Sequence, residues 1–473
     1  MSSVTETPLL DPEAEAALAE YADKAIAVEP GGVEYIPAEA RHGSPIQLFW
    51  TWTSPNLEFA TIAVGILAVL VFRQSFWAAA LAIVVGTGLG SVTHGILSSW
   101  GPESGFCQMI LSRTGFGFLG NILPAGLNSV IAGIGWFAVN SVSGALALHA
   151  LWDVLPKALC LIIVVAAQLI IAFLGHNLIH VFERYAFPLL AIVFVIGAII
   201  VLSKSHPGQS IAGAQSSLGA FLLTAGAAFG YACGWNPYAS DYTRYLPANT
   251  PKLSVGLYAG LGVFVSCVFL EIAGAAMVTA AKAPDIDPGV YTSLMPTVLA
   301  KLTLLCIAVG AVAANALNIY SGAMSFMALG LRLPTHIARG IVALVFGTIG
   351  FFVALDGLNN VSRYEDFLLV IAYWIAPWLG VVLVDRWLRP NIDRTAIVGD
   401  TRYQNWAGPI AMALGMVISI WLFAAQVKYT GPIPKHHPAF GDLTFEVGFV
   451  ISAVTYYVLV RVLRPMSRVT ANA

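Results

Sequence analysis

The chain has 473 residues, 58 % of them hydrophobic and only 10 % charged, with a formal net charge of -2. A soluble domain carries roughly 25 % charged residues, which excludes a soluble globular protein and a disordered chain. The balance of 23 Lys and Arg against 25 Asp and Glu leaves no basic face for a nucleic acid, so the composition is that of a polytopic membrane protein whose partner is the lipid bilayer.

Residues 1–46 hold nine acids against Lys24 and Arg41 and have no apolar segment followed by a cleavage site. They are expected to form an acidic, mostly disordered tail. Twelve apolar runs follow, each near the twenty residues a helix needs to cross a bilayer. They lie at about 47–71, 75–98, 119–148, 157–174, 184–203, 217–239, 253–281, 298–330, 338–355, 364–387, 407–427 and 444–464. The third and eighth are overlong, which points to tilt or a helical extension. Residues 465–473 form a second short tail. With the N-terminus inside, fifteen of the 23 Lys and Arg fall on the cytoplasmic side and eight on the other. That asymmetry places both termini in the cytoplasm of a multi-pass protein of the plasma or inner membrane. The five cysteines show no pairing or metal spacing, and the three in the middle of apolar runs behave as small hydrophobes.

Along the spans, two interruptions stand out. The first span reads Trp52-Thr53-Ser54-Pro55-Asn56-Leu57-Glu58, and the sixth reads Gly230-Tyr231-Ala232-Cys233-Gly234-Trp235-Asn236-Pro237-Tyr238. Proline removes a donor and clashes with the preceding turn, and broken backbone inside a membrane is tolerated only beside protein or a cavity. Breaks in spans one and six open the two halves of a five-plus-five plan, the sequence mark of a transporter with inverted repeats. Two unrelated proline kinks are the plainer alternative.

Polar residues gather at the same depth. Ser54 and Asn56 flank Pro55. Trp136 and Asn140 are four apart on one face of the third span, just after Gly133 and Gly135. Tyr231 and Trp235 sit at the sixth-span break. Asn315, Asn318 and Ser321 run at spacing three along the eighth. Aromatic faces with carboxamide edges suit a flat heterocycle. The absence of Lys and Arg from these positions favours an uncharged one. Interfacial belt tryptophans and interhelical asparagine glue are the structural alternatives. Glu271 within the seventh span and Glu58 past the first break are candidate proton carriers, since a carboxyl shielded from water can load and release a proton. Asp241 reads as a cap or as a partner of Arg244. His176 and His180 have the spacing of a metal pair but no third ligand, so no metal site is expected. No nucleotide-binding or hydrolase signature is present. A membrane enzyme would gather its acids or histidines at one interface instead. A receptor that binds without transporting is the remaining alternative.

The segment Trp235-Asn236-Pro237-Tyr238-Ala239-Ser240-Asp241-Tyr242-Thr243-Arg244-Tyr245-Leu246-Pro247 resembles the one after helix 6 in the nucleobase–cation symporter family, in its purine–cytosine permease branch. Leu317-Asn318-Ile319-Tyr320-Ser321 and Gly135-Trp136-Phe137 resemble that family's helix 8 and helix 3 signatures. The resemblance implies an all-α polytopic fold of the leucine-transporter type. Its repeats would fall at about 47–203 and 217–387, and two extra helices at about 407–464, within a transporter domain over 47–464. It also implies uptake of a nucleobase (cytosine and/or purines) by alternating access. Trp136 and Trp235 would stack on the base, Asn318 would hydrogen-bond it, and Ser54 and Asn140 would contribute. Allantoin, a hydantoin or a pyridine-type vitamin are alternative substrates.

Sodium-coupled relatives place helix 8 hydroxyls one to two turns before the asparagine. Here Leu304 through Ala314 contains no Ser or Thr. Thr303 is fifteen residues before Asn318, about 22 Å at ~1.5 Å per residue. The co-transported cation is therefore expected to be H+ rather than Na+, with Glu271 and Glu58 as its carriers. No other cofactor and no obligate protein partner are expected.

Overall fold

The computed structural model describes residues 32–174, 176–209, 217–331, 335–358, 364–463 and 465. Among the described residues the chain is almost wholly helical, with only isolated β-bridges besides. This is the solution that satisfies every backbone group without water. Eight helices among the described residues are long and apolar enough to cross a membrane. A bent pair, Gln47–Asn56 and Phe59–Leu70, adds a ninth, and beside them lie three shorter apolar helices, Lys157–Ile171, Leu344–Gly357 and Ala407–Phe423. Each of the twelve runs read from the sequence holds one of these helices. The eighth is long, as expected, at Thr297–Met327. The fifth is longer than its apolar run because the helix starts at His176 and continues through Pro188 to Lys204. The side chains of His176 and His180 lie outside the described residues.

The packing follows an exchange of the first five spans for the second five. The first span lies along the seventh as the sixth lies along the second, and the third meets the ninth as the eighth meets the fourth. The second with the seventh, the third with the eighth and the fourth with the ninth pair across the centre. The last two helices stand outside this exchange, packed on each other and on the tenth.

Glycine makes the closest of these approaches possible. A Cβ on Gly65 would lie 1.6 Å from the Glu271 carbonyl oxygen, and one on Gly274 would lie 1.9 Å from that of Ile62. The first and seventh spans therefore touch backbone to backbone. Gly86 against Ala225 and Gly95 against Gly256 do the same for the second span with the sixth and seventh. Such small-residue contacts drive helix association in lipid, where apolar burial gives no net gain.

The two expected breaks differ in kind. In the first span the helix Gln47–Thr53 passes into a tight turn over Ser54–Asn56, Glu58 is extended, and a new helix starts at Phe59 with a 60° bend. The sixth span is interrupted less. A tight turn at Asn236–Tyr238 joins Leu218–Cys233 to Ala239–Thr243 with helical dihedrals throughout. Pro237 falls in the first positions of that turn, where its missing N–H costs nothing. One interruption was not foreseen: a π-helical turn at Ile131–Trp136 in the third span.

Residues 1–31 of the expected tail lie outside the described residues. Residues 32–46 are not loose but are strapped across the helix ends. The Arg41 guanidinium is buried and donates to the carbonyls of Ile36 and Pro102. Ile36 N–H donates to Gly105 O and His42 N–H to Tyr245 O. The buried Arg244 donates to the carbonyls of Gly32 and Glu34 and to Tyr320 Oη. Of the second tail, 465–473, only Pro465 is described.

Candidate functional site

The break in the first span leaves carbonyls that the helix no longer covers, and side chains take over. Asn56 Nδ2 donates to Trp52 O at 2.6 Å, and Thr61 Oγ1 donates to Asn56 O at 2.5 Å. The break is then tied to the sixth span, where Trp235 Nε1 donates to Asn56 Oδ1 at 2.9 Å. The two interruptions thus meet. Asn56 has both side-chain polar atoms and its carbonyl engaged, which makes it a strut between the breaks.

Trp235 packs edge-on against Trp52 and Tyr238, each at 5.8 Å between ring centres. Trp136 has its own aromatic neighbours, Tyr231 at 5.4 Å and Phe367 at 5.1 Å, both edge to face. The glycines around it set this geometry. A Cβ on Gly135 would lie 2.5 Å from the Phe367 ring, and one on Gly234 would lie 3.1 Å from the Trp136 indole. Both indoles are 6 % exposed and sit inside the bundle, away from any belt position.

The carboxamides form a row between the third and eighth spans. Asn315 Oδ1 accepts from Asn140 Nδ2 at 3.0 Å and from Asn318 Nδ2 at 3.2 Å, while its own Nδ2 donates to Phe137 O at 2.8 Å. Asn315 is therefore the hub that orients the other two. Asn318 Oδ1 and Ser54 Oγ are buried with no hydrogen-bond partner. Both are therefore still able to bond something else. Replacing Asn315 with leucine should orphan the Asn140 and Asn318 donors, at about 1–3 kcal/mol for each buried group. The expected result is a lowered melting temperature together with loss of any ligand-induced thermal shift.

The two carboxyls occupy different surroundings. Glu58 is fully buried, accepting from Ser143 Oγ at 3.1 Å and lying 3.4 Å from Tyr231 Oη. Tyr231 in turn is 2.6 Å from Thr61 Oγ1. Glu271 is buried between the seventh and second spans, where Oε2 accepts from Thr87 Oγ1 at 2.8 Å. Asp241 accepts from the backbone N–H of Gln108 at 2.8 Å and so caps the short helix Gln108–Leu111.

A cavity of about 250 Å³ opens beside this group toward the end of the bundle where the first span finishes. Phe59, Ala60 and Ala63 of the first span line it, with Gly135, Ser143, Asp356, Tyr364 and Phe367. Phe367 thus stands between the cavity and Trp136, and Ser143 links the cavity to Glu58. Sequence reasoning missed Thr61, Ser143 and Phe367, since hydroxyls and a phenylalanine within apolar runs carry no pattern of their own. Among the described residues, no group of three His, Cys, Asp or Glu could hold a metal.

A family model described as permease for cytosine/purines, uracil, thiamine, allantoin matches residues 35–448. The chain is 32 % identical over 456 residues to the purine-cytosine permease fcyB of Emericella nidulans, covering 91 % of this chain and 88 % of that protein. It is 29 % identical to the putative purine-cytosine permease YxlA of Bacillus subtilis, over 92 % of this chain and 96 % of that protein. In fold it is similar to Mhp1, a nucleobase-cation-symport-1 family transporter solved in a closed conformation with bromovinylhydantoin bound. The TM-score is 0.73 at 18 % identity, covering 93 % of this chain and 96 % of the other. The chain belongs to the family of permeases for cytosine/purines, uracil, thiamine and allantoin, the nucleobase–cation symporters that its sixth-span segment resembles, and it is a secondary transporter rather than an enzyme.

Proposed function

We propose that this transporter imports a nucleobase, cytosine and/or a purine, across the cell membrane together with a proton, by alternating access and with both termini cytoplasmic. The observation that carries the reading is the joined break. Trp235 is locked onto Asn56, Trp136 flanks Gly234 and Tyr231, and Asn318 Oδ1 and Ser54 Oγ are buried with bonding capacity to spare. A planar base offers two faces to indoles and an edge of donors and acceptors to carboxamides. In this reading Trp136 and Trp235 take the faces and Asn318, Asn140 and Ser54 take the edge. Asn315 and Asn56 hold those groups in place, and Tyr231 seats Trp136. The cavity is the extracellular vestibule, with Phe367 at its inner end.

Proton coupling draws support from the eighth span. Gly310 presses on the first break so closely that a Cβ there would lie 2.4 Å from Leu57 O. Its neighbours from Leu304 to Ala314 bring no hydroxyl to complete an oxygen cage for sodium. Thr303 is turned away, with its hydroxyl on Met295 Sδ. Glu58 is one hydrogen bond from the cavity through Ser143, so it is the first carrier, while Glu271 lies behind the first span. A second reading, a related heterocycle, is favoured by the bromovinylhydantoin bound to Mhp1 and by 25 % identity over 74 % of this chain to the vitamin B6 transporter TPN1 of Saccharomyces cerevisiae.

A thermal-shift panel of cytosine, adenine, allantoin and pyridoxine on the purified protein separates the two, because a ligand of the folded state raises its apparent stability. Uptake of the stabilising ligand should collapse with a protonophore and persist without sodium. Uptake that needs sodium and ignores the protonophore would refute the coupling.

A further inference from the structure

We infer that Glu58, Tyr231, Thr61 and the Asn56 carbonyl form a directional hydrogen-bond relay that reports the proton state of Glu58 to the break of the first span. The inference deepens the proton-coupling reading above and rests on it. It follows from counting protons along a chain of four oxygens. Thr61 Oγ1 has one proton and gives it to Asn56 O at 2.5 Å. The 2.6 Å contact between Thr61 and Tyr231 must then be made by the Tyr231 proton. That leaves only lone pairs on Tyr231 Oη to face Glu58 Oε1 at 3.4 Å. This end of the chain closes when Glu58 itself carries a proton on Oε1. Oε2 meanwhile accepts from Ser143. With Glu58 neutral, three bonds run in one direction: Glu58 to Tyr231, Tyr231 to Thr61, Thr61 to Asn56.

When the proton leaves, the direction reverses. The carboxylate accepts from Tyr231, Tyr231 Oη then accepts from Thr61, and the Asn56 carbonyl loses its donor. No covalent bond changes. One proton departs from Glu58 Oε1, and two hydroxyls turn. Asn56 is the residue that holds Trp235, through its side chain, and Tyr231 is the residue that abuts Trp136. Two members of the relay, Tyr231 and Asn56, therefore touch the two indoles. A buried carbonyl cannot be left bare without cost, so the unloaded state favours rearrangement at the break.

The titratable groups that face Glu58 are Tyr231 from the sixth span, Tyr364 from the tenth, and Cys267 from the seventh, which also brings Glu271 into the neighbourhood. The cavity wall adds Asp356 from the ninth span. None of these is a cation, and the carboxyl is also faced by the backbone N–H groups of Ala60 and Thr61 at the start of the helix Phe59–Leu70.

The test is the ratio of cytosine affinities at acidic and alkaline pH, measured on purified protein whose fold is checked by its melting curve. Wild type should bind more tightly when acid, with a coupling of at least about fivefold. Glu58→Gln, whose amide donates to Tyr231 as the loaded acid does, should bind with no pH dependence. Thr61→Val should flatten the ratio to about one while Thr61→Ser restores it. Tyr231→Phe cuts the same chain at a second point and should also flatten it. If Glu58→Gln is flat but Thr61→Val and Tyr231→Phe keep the wild-type ratio, the relay is wrong and the carrier stands. If wild type itself is flat, or Glu58→Gln keeps the dependence, the carrier is wrong and the relay falls with it.

Discussion

Trp136→Ala is expected to weaken nucleobase binding by about 1–3 kcal/mol, the range for a base stacked on an aromatic side chain. That corresponds to roughly five- to 150-fold in Kd. The indole has no substitute nearby. Its neighbours Tyr231 and Phe367 meet it edge-on, so neither presents a face to the same space. The loss should be read as an affinity, by equilibrium binding of labelled cytosine, since truncation also removes the inner wall on which Phe367 rests. Trp136→Phe should recover part of the loss. A wild-type Kd in the alanine variant would move the site away from the third span.

Gly65→Val is expected to have the largest effect on folding. The nearest atom to the added Cβ is the Glu271 carbonyl oxygen at 1.6 Å, which is backbone and cannot turn aside as a flexible side chain would. Overpacking a close-fitted interior costs typically about 1–3 kcal/mol, and here the whole first or seventh span would have to shift. We expect little or no monodisperse protein by gel filtration after detergent extraction. Ala63→Val, two residues earlier, points to the cavity wall and is expected to extract normally. Equal yields of the two would show that these spans have more freedom than their contact implies.

Much of this architecture is legible in the amino-acid order, and the exceptions have physical reasons. Apolar runs at bilayer length locate every span, because the membrane permits few alternatives to a helix. Pro55 and Pro237 mark the two interruptions, but proline alone does not say how wide a break is. Both prolines sit in the first positions of a tight turn, but the first break opens because Leu57 and Glu58 leave helical conformation after it, whereas the second runs straight on into helix at Ala239. Trp136, Trp235, Asn140 and Asn318 stand out because aromatic and amide groups are costly at mid-depth unless they face the interior. Sequence cannot divide labour among them. Asn56 and Asn315 are engaged by protein atoms, and only the three-dimensional pairing shows that they position others. The backbone contacts were not read from the sequence, although Gly86 and Gly90, like Gly256 and Gly260, recur at a spacing of four, the mark of helices in close contact. The strap at 32–46 was hidden by its acidic, proline-rich composition. Its binding comes from Arg41 and Arg244 donating to backbone carbonyls, which any residue at the accepting positions would supply.

The π-helical turn at Ile131–Trp136 fits one residue more than an α-helical turn would. Wound as a regular α-helix, the same residues would swing the far half of the helix by about 100°. Trp136 and Asn140 would leave the sixth and eighth spans together. The wider turn thus absorbs the surplus residue and keeps the two halves of this helix in phase.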